Sequence, residues 1–211
     1  MFLQTQTNGI TQANVDGTYP VALGGKQGDL IASELHGKFY TTAYRGNLYW
    51  ANVTGVTIPL KAAALVSVFT LYNPPNSGVV AEIVDTEIGQ VLATTVVDAV
   101  GWYFSTALLT ALGTFTTPGV AGTNFGSCRL GDTPANKVQF FSAYTHSGTP
   151  VRADIIGTFG AVTDPVAVVM SKVYDGRLIL PPGIAMSVAM STAAGTASGL
   201  DIGARWAEYP L

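Results

Sequence analysis

Charge is what this sequence has least of. Only 11% of its 211 residues are Asp, Glu, Lys or Arg, against roughly 25% in an ordinary soluble domain. Interspersed charges discourage proteins from associating, so a chain with so few of them is expected to assemble rather than stay solitary. The formal net charge is −3. Ten Lys and Arg are scattered singly and outnumbered by thirteen acids, which leaves no basic stripe to displace counterions from a phosphate backbone. Direct nucleic-acid binding is therefore not expected.

Cysteine is almost absent too. Cys128 is alone, so no internal disulfide is available and the fold does not depend on an oxidising compartment. Its expected place is that of a small, half-buried hydrophobe. The first residues, Met1 to Tyr19, are polar and lack a basic segment followed by an apolar one, so a secretory leader is not expected there and the chain is expected to stay in a cytoplasm. Long apolar runs are missing as well. The longest uncharged stretch lies between Asp98 and Arg129, but its apolar part, Ala99 to Leu112, falls short of the roughly 20 residues of a membrane-spanning helix. It reads as buried core, and no membrane partner is expected.

Catalytic groups are just as sparse. The two histidines, His36 and His146, lie far apart and form no paired ligand set. Glu34 and His36 stand two apart and would share a face of a strand, but such a pair reads as a surface hydrogen bond rather than a metal site. Gly126-Ser127-Cys128 lacks the strand and spacing of a nucleophile elbow. A reactive Cys128 would need a cation to hold its thiolate, and Arg129 is the one local candidate. Gly24-Gly25-Lys26 lacks the spacing of a phosphate loop. Glu82, Asp85, Glu87 and Asp98 form a loose acidic stretch, read as a solvated strand edge rather than as a glycosidase pair. No enzyme activity, catalytic residue, metal or cofactor is implied.

What the sequence does have is glycine, 24 residues, with 11 prolines and many Thr, Val and Ser. That balance favours short strands and turns. Residues 1–28 have few large apolar side chains and turn signals at Asn8-Gly9 and Asp16-Gly17, so they are expected as an extended N-terminal arm. Residues 29–211 are expected as a single β-sandwich domain. Within it, Leu30 to Leu35, Lys38 to Tyr44 and Leu48 to Val53 suggest two or three short strands, parted by His36-Gly37 and Arg45-Gly46-Asn47. Leu65 to Tyr72 reads as a strand stopped by Asn73-Pro74-Pro75-Asn76-Ser77-Gly78, and Val79 to Ile88 as the next. Phe104 to Leu112 fits either a short helix ended by Gly113 or a buried strand. Val138 to Tyr144 and Val151 to Phe159 read as strands.

The last third alternates most clearly. Val166 to Tyr174, Asp175-Gly176 and Arg177 to Leu180 have the form of a hairpin with a type I′ turn, in which both central residues take positive φ. Ile184, Met186, Val188 and Met190 alternate with small residues, as do Leu200, Ile202, Ala204 and Trp206, so these two strands are expected to pair antiparallel. Short, frequent strands between Gly and Pro turns argue for two packed antiparallel sheets, a sandwich of jelly-roll type. The cluster Phe39, Tyr40, Tyr44, Arg45, Tyr49 and Trp50 is the best candidate for an assembly or recognition surface, since rings beside Arg45 and Asn47 could anchor a protein interface or stack on a sugar.

Two stretches, GDLIASELHGKFYTTAYRGNLYWA (Gly28 to Ala51) and LPPGIAMSVAMSTAAGTASGLDIGARWAEYP (Leu180 to Pro210), resemble the jelly-roll cement or decoration proteins, minor capsid proteins of tailed bacteriophages. The resemblance implies an all-β protomer that self-associates, as a homotrimer, and stabilises the outside of a phage head through contacts with the major capsid protein. It implies a place on the capsid surface of a virion made in a bacterial cytoplasm, and supplies no catalytic residues. A receptor- or glycan-binding module of a phage tail or spike, with Tyr44, Tyr49 and Trp50 as stacking groups, is the alternative.

Overall fold

The computed structural model describes residues 38–59, 65–90, 98–105, 114–115, 123–131, 135–146, 149–159, 169–191 and 199–211. The chain divides into two units, Met1–Tyr40 and Thr41–Leu211, and every strand described below belongs to the second. The expected arm over residues 1–28 lies outside the described residues, as do Leu30 to Leu35, the Glu34–His36 pair and residues 106–112.

One short helix, α1 (Tyr40–Tyr44), stands where a strand is expected from Lys38 to Tyr44. The residues that read as a strand separator are its C-terminal cap. Gly46 takes φ 74°, its N–H donates to the Ala43 carbonyl and the Asn47 N–H to that of Thr42, both at 3.0 Å. This is the paired bonding that closes a helix around a left-handed glycine.

Strands follow in chain order: β1 (Leu48–Thr57), β2 (Val66–Ser67), β3 (Thr70–Asn73), β4 (Val79–Gln90), β5 (Asp98–Ser105), β6 (Thr114–Phe115) and β7 (Thr123–Ser127). Then come β8 (Gln139–Thr145), β9 (Val151–Phe159), β10 (Val169–Val173), β11 (Ile179–Leu180), β12 (Ile184–Met190) and β13 (Gly199–Pro210). They form two antiparallel sheets packed face to face, an all-β sandwich. The six-stranded sheet runs β10-β4-β13-β1-β7, with β11 also on β4; the seven-stranded sheet runs β2-β8-β3-β12-β5-β9, with β6 on β8.

Alternation explains the core. Tyr49, Ala51 and Val53 of β1 and Leu200, Ile202, Ala204 and Trp206 of β13 turn inward, as do Met186, Val188 and Met190 of β12 and Val100 and Trp102 of β5. Phe69 joins them by packing on Phe140 at 4.9 Å and edge-on to Trp102 at 5.9 Å. Buried polar bonds also cross between the sheets: Trp102 Nε1 donates to Thr86 Oγ1 at 3.1 Å, linking β5 to β4, and Asn73 Nδ2 donates to the Leu180 carbonyl at 3.0 Å, linking β3 to β11. A buried indole N–H needs such a partner, because leaving it unmet costs about 1–3 kcal/mol.

Three expectations of pairing fail, each because alternation names a buried face and not a neighbour. β12 and β13 do not pair with each other: β12 lies between β3 and β5, and β13 between β4 and β1, in the opposite sheet. Their apolar faces meet across the sandwich instead. The hairpin over 166–180 is not a reversal either. Asp175 (φ 47°) and Gly176 (φ 78°) do have positive φ, yet β10 and β11 both pair with β4 and continue along it in one direction. The turn is a loop thrown out of a continuing edge, held at its base by Tyr174 N–H to Val84 O and Ile83 N–H to Leu178 O. Finally, the acidic strand β4 is interior to its sheet rather than an edge, with β10 and β11 on one side and β13 on the other.

β12 is buried on both faces. Its small residues Ala185, Ser187 and Ala189, turned away from the main core, are covered along with Leu65, Tyr103, Phe141 and Tyr144. That second buried layer holds the most polar part of the interior.

Candidate functional site

Side chains opposite one another on antiparallel strands stand on the same face of a sheet, so register alone assembles a surface on the outside of the six-stranded sheet. One row is Val173, Asp85, Arg205, Trp50 and Gly126; the next is Ser171, Glu87, Gly203 and Asn52. Gly203 lacks a side chain in the middle of the second row, and the floor there is low. The result is an open cleft of about 400 Å³ lined by Trp50, Asn52, Asp85, Glu87, Cys128, Leu130 and Arg205.

Each wall is held in place. Trp50 Nε1 donates to the Ser127 carbonyl at 3.1 Å, and the indole lies over Gly126, where a Cβ would come within 3.0 Å of Cε2 and Cζ2. A larger residue there would push against the ring. Arg205 spans two carboxylates: Nε donates to Asp85 Oδ1 at 2.8 Å and Nη2 to Glu87 Oε1 at 2.7 Å. Burial raises the Asp85 carboxyl above its ordinary value, with Arg205 pulling the other way. The Asn52 side-chain oxygen is buried without a hydrogen-bond partner. Burial also raises the Cys128 thiol, with Arg205 opposing, and a thiol so placed is a poor nucleophile. Arg129, the cation beside it in sequence, donates instead to the Tyr44 carbonyl at 3.2 Å and sits 5.4 Å from the Tyr44 ring.

The aromatic cluster expected as one surface is divided. Tyr49 is 3% exposed and packs on Trp206 in the core, so its ring is not presented outward. Trp50, the next residue, lines the cleft. Tyr44 is 62% exposed and Tyr40 47%, and Arg45 is exposed beyond the helix. Phe39 is half-buried, with the Lys38 ammonium 5.1 Å from its ring. Of these six residues, the cleft uses Trp50. Asn52, Asp85, Glu87 and Arg205 are its other working parts. Asp85 and Glu87 stand out in the sequence as part of an acidic stretch, but Asn52 and Arg205 carry no signal beyond a polar position on an alternating strand, which marks a face and not a site.

A second constellation has the residue types of catalysis without the access. His146 Nδ1 lies 2.9 Å from Ser105 Oγ and Nε2 2.6 Å from Ser187 Oγ, which in turn is 2.5 Å from Thr70 Oγ1. Nucleophile and base would need a path to substrate, but His146 is 1% exposed and Ser187 and Thr70 are fully buried. Burial pushes the imidazole down to about 4, so at neutral pH it is uncharged, one nitrogen donating and the other accepting. The four groups are a satisfied polar seam on the second face of β12. Among the described residues, no three His, Cys, Asp or Glu side chains gather where they could hold a metal ion, and no helix is long and apolar enough to cross a membrane.

Comparison with known proteins finds no matching protein-family model, no matching curated protein and no matching solved structure.

Proposed function

We propose that this chain is a structural protein of a tailed-phage virion, a cement or decoration protein of jelly-roll type that self-associates as a trimer and binds the outside of the head through major capsid subunits. The observation that carries the reading is where the exposed apolar residues fall. Val169 and Val173 project from β10, Ile179 from β11, and Val151 and Ile155 from β9. Among the described residues, β10 and β11 pair on one side only, with β4, and β9 on one side only, with β5. The two edges adjoin, since Lys172 of β10 forms a 2.6 Å ion pair with Asp154 of β9.

Unprotected strand edges attract other strands, and proteins that live alone blunt them with charge or proline. Here the edges expose valine and isoleucine beside a few charged groups: Lys172 pairs with Asp154 and donates to the Ile155 carbonyl, and Arg177 donates to the Val173 carbonyl. Surface of this kind is buried against another protein at little desolvation cost. A closed ring of copies would cover it without growing into a fibre, and many such contacts around a shell add through multivalency. The phage-like stretches point the same way. The test is to mix the purified protein with undecorated capsids of the source phage. Stoichiometric binding and a higher rupture temperature are expected; no association would overturn the proposal.

A further inference from the structure

Further cavities open on the described surface, two of them near the β9–β10 side. One, of about 240 Å³, is occupied at its rim by the Lys172–Asp154 pair. The other, of about 220 Å³, is apolar, lies between Leu178, Ile179, Phe104 and Met186, and belongs with the edge already assigned to assembly. The cleft around Trp50 belongs to neither and offers a different chemistry.

We infer that this cleft is a saccharide subsite, in which one neutral pyranose ring stacks on Trp50 and its hydroxyls are held by Glu87 and Arg205. The inference does not depend on the assembly role proposed above. Trp50 has its one N–H committed to Ser127, so what remains for a ligand is the apolar ring. Stacking on it suits a molecule with a flat C–H face. The polar groups call for hydrogen-bond donors. Glu87 is 55% exposed and retains lone pairs beyond the one that Arg205 uses. Arg205 in turn commits Nε and Nη2 to the carboxylates, and a guanidinium has five N–H groups in all.

Charge narrows the class. Two carboxylates and one guanidinium leave the cleft with a net negative charge, which disfavours phosphates, sulfates and acidic sugars. A ligand with one apolar face, several hydroxyl donors and no negative charge is a neutral sugar. The volume is at the small end for ligand sites, enough for a single ring of a longer glycan crossing an open surface. All the polar groups stand on paired strands, which hold such a constellation more rigidly than loops do.

The test is saturation-transfer NMR and calorimetric titration of the whole chain with glucose, galactose, mannose and N-acetylglucosamine. At least one should bind saturably in the millimolar range, and Trp50→Ala should weaken it by about tenfold or more while the thermal unfolding curve keeps its cooperative form. Glu87→Gln, at an exposed position, supplies a second variant and should weaken binding severalfold. Binding by none of the four sugars would overturn the inference, as would binding unchanged in both variants. Trp50-dependent binding of an arginine- or lysine-containing peptide in place of any sugar would overturn it too, by showing the cleft to be a cation site. Capsid binding is a separate measurement, so failure here leaves the assembly proposal standing.

Discussion

Tyr49 and Trp50 are neighbours in the chain and leave β1 through opposite faces of the sheet. The phenol packs at 5.9 Å on Trp206 inside the sandwich, while the indole lies over Gly126 outside it. Adjacent aromatics on a strand do different work because successive side chains point to opposite faces.

Their truncations should therefore differ. Tyr49→Ala removes a buried ring from the core and should cost about 3–5 kcal/mol. Trp50→Ala removes a partly exposed one and should cost no more than about 2 kcal/mol. Equilibrium denaturation in urea measures both, and equal losses would mean that the two rings share one environment.

His146 makes stability depend on pH. Its imidazole ordinarily titrates near 6.5 and is held down to about 4 in the fold, so between those values the unfolded chain binds a proton that the folded chain does not. The stabilisation is full above about 6.5 and is lost as pH falls through the window, at up to about 1.4 kcal/mol per pH unit. Glu208 works in the opposite sense, because burial raises its carboxyl above 4.5 and the folded state there keeps its proton more readily. The difference between wild type and His146→Gln isolates the histidine. Denaturation midpoints from pH 7 to 4 should fall more steeply for the wild type, whatever the variant's absolute stability.

Glu208 is itself a clamp. Its carboxylate accepts the Lys137 and Val138 backbone N–H groups at 2.8 and 2.9 Å and the Trp206 indole N–H at 3.2 Å. Glu208→Ala leaves donors unmet in a buried setting and should cost at least about 2 kcal/mol. Glu208→Gln, which keeps one acceptor oxygen, should lose less. Thermal unfolding compares the two, and a smaller loss for alanine would remove the clamp from the account.

Assembly along the β9–β10 side predicts that charge placed there will separate the copies. Val169→Lys with Val173→Lys should lower the mass seen by light scattering towards that of one chain. At these exposed positions the monomer's stability should change by no more than about 0.5 kcal/mol per site. An unchanged mass would place the contact elsewhere.

Much of the fold is legible because it rests on local chemistry. The break at Asn73 to Gly78, the long strand beginning at Val79 and the inward set Ile184, Met186, Val188 and Met190 follow from turn residues and period-two alternation. The positive φ at Asp175 and Gly176 also follows from those two residue types. The helix over Tyr40–Tyr44 is not legible in the same way, because five residues are too few to show a helical period. Its signal was the capping Gly46, which serves equally well to separate two strands. The cleft is the least legible. Trp50 stands out by type, but Asp85, Glu87 and Arg205 become a unit only when β4, β13 and β1 lie side by side.

The sequence by itself determined that this is an all-β chain, where several of its strands lie, among them those that include Leu48, Val79, Ile184 and Leu200, and which face of each is apolar. Those properties are encoded residue by residue, in side-chain volume, polarity and permitted φ. Only the tertiary structure decided that β12 and β13 lie in opposite sheets, that β10 and β11 both pair with β4, and that the aromatic cluster divides between core and cleft. Strand pairing is a relation between distant segments, and any two edges of like alternation satisfy the same backbone hydrogen bonds. The choice among them is made by how the whole set of apolar faces closes around one core.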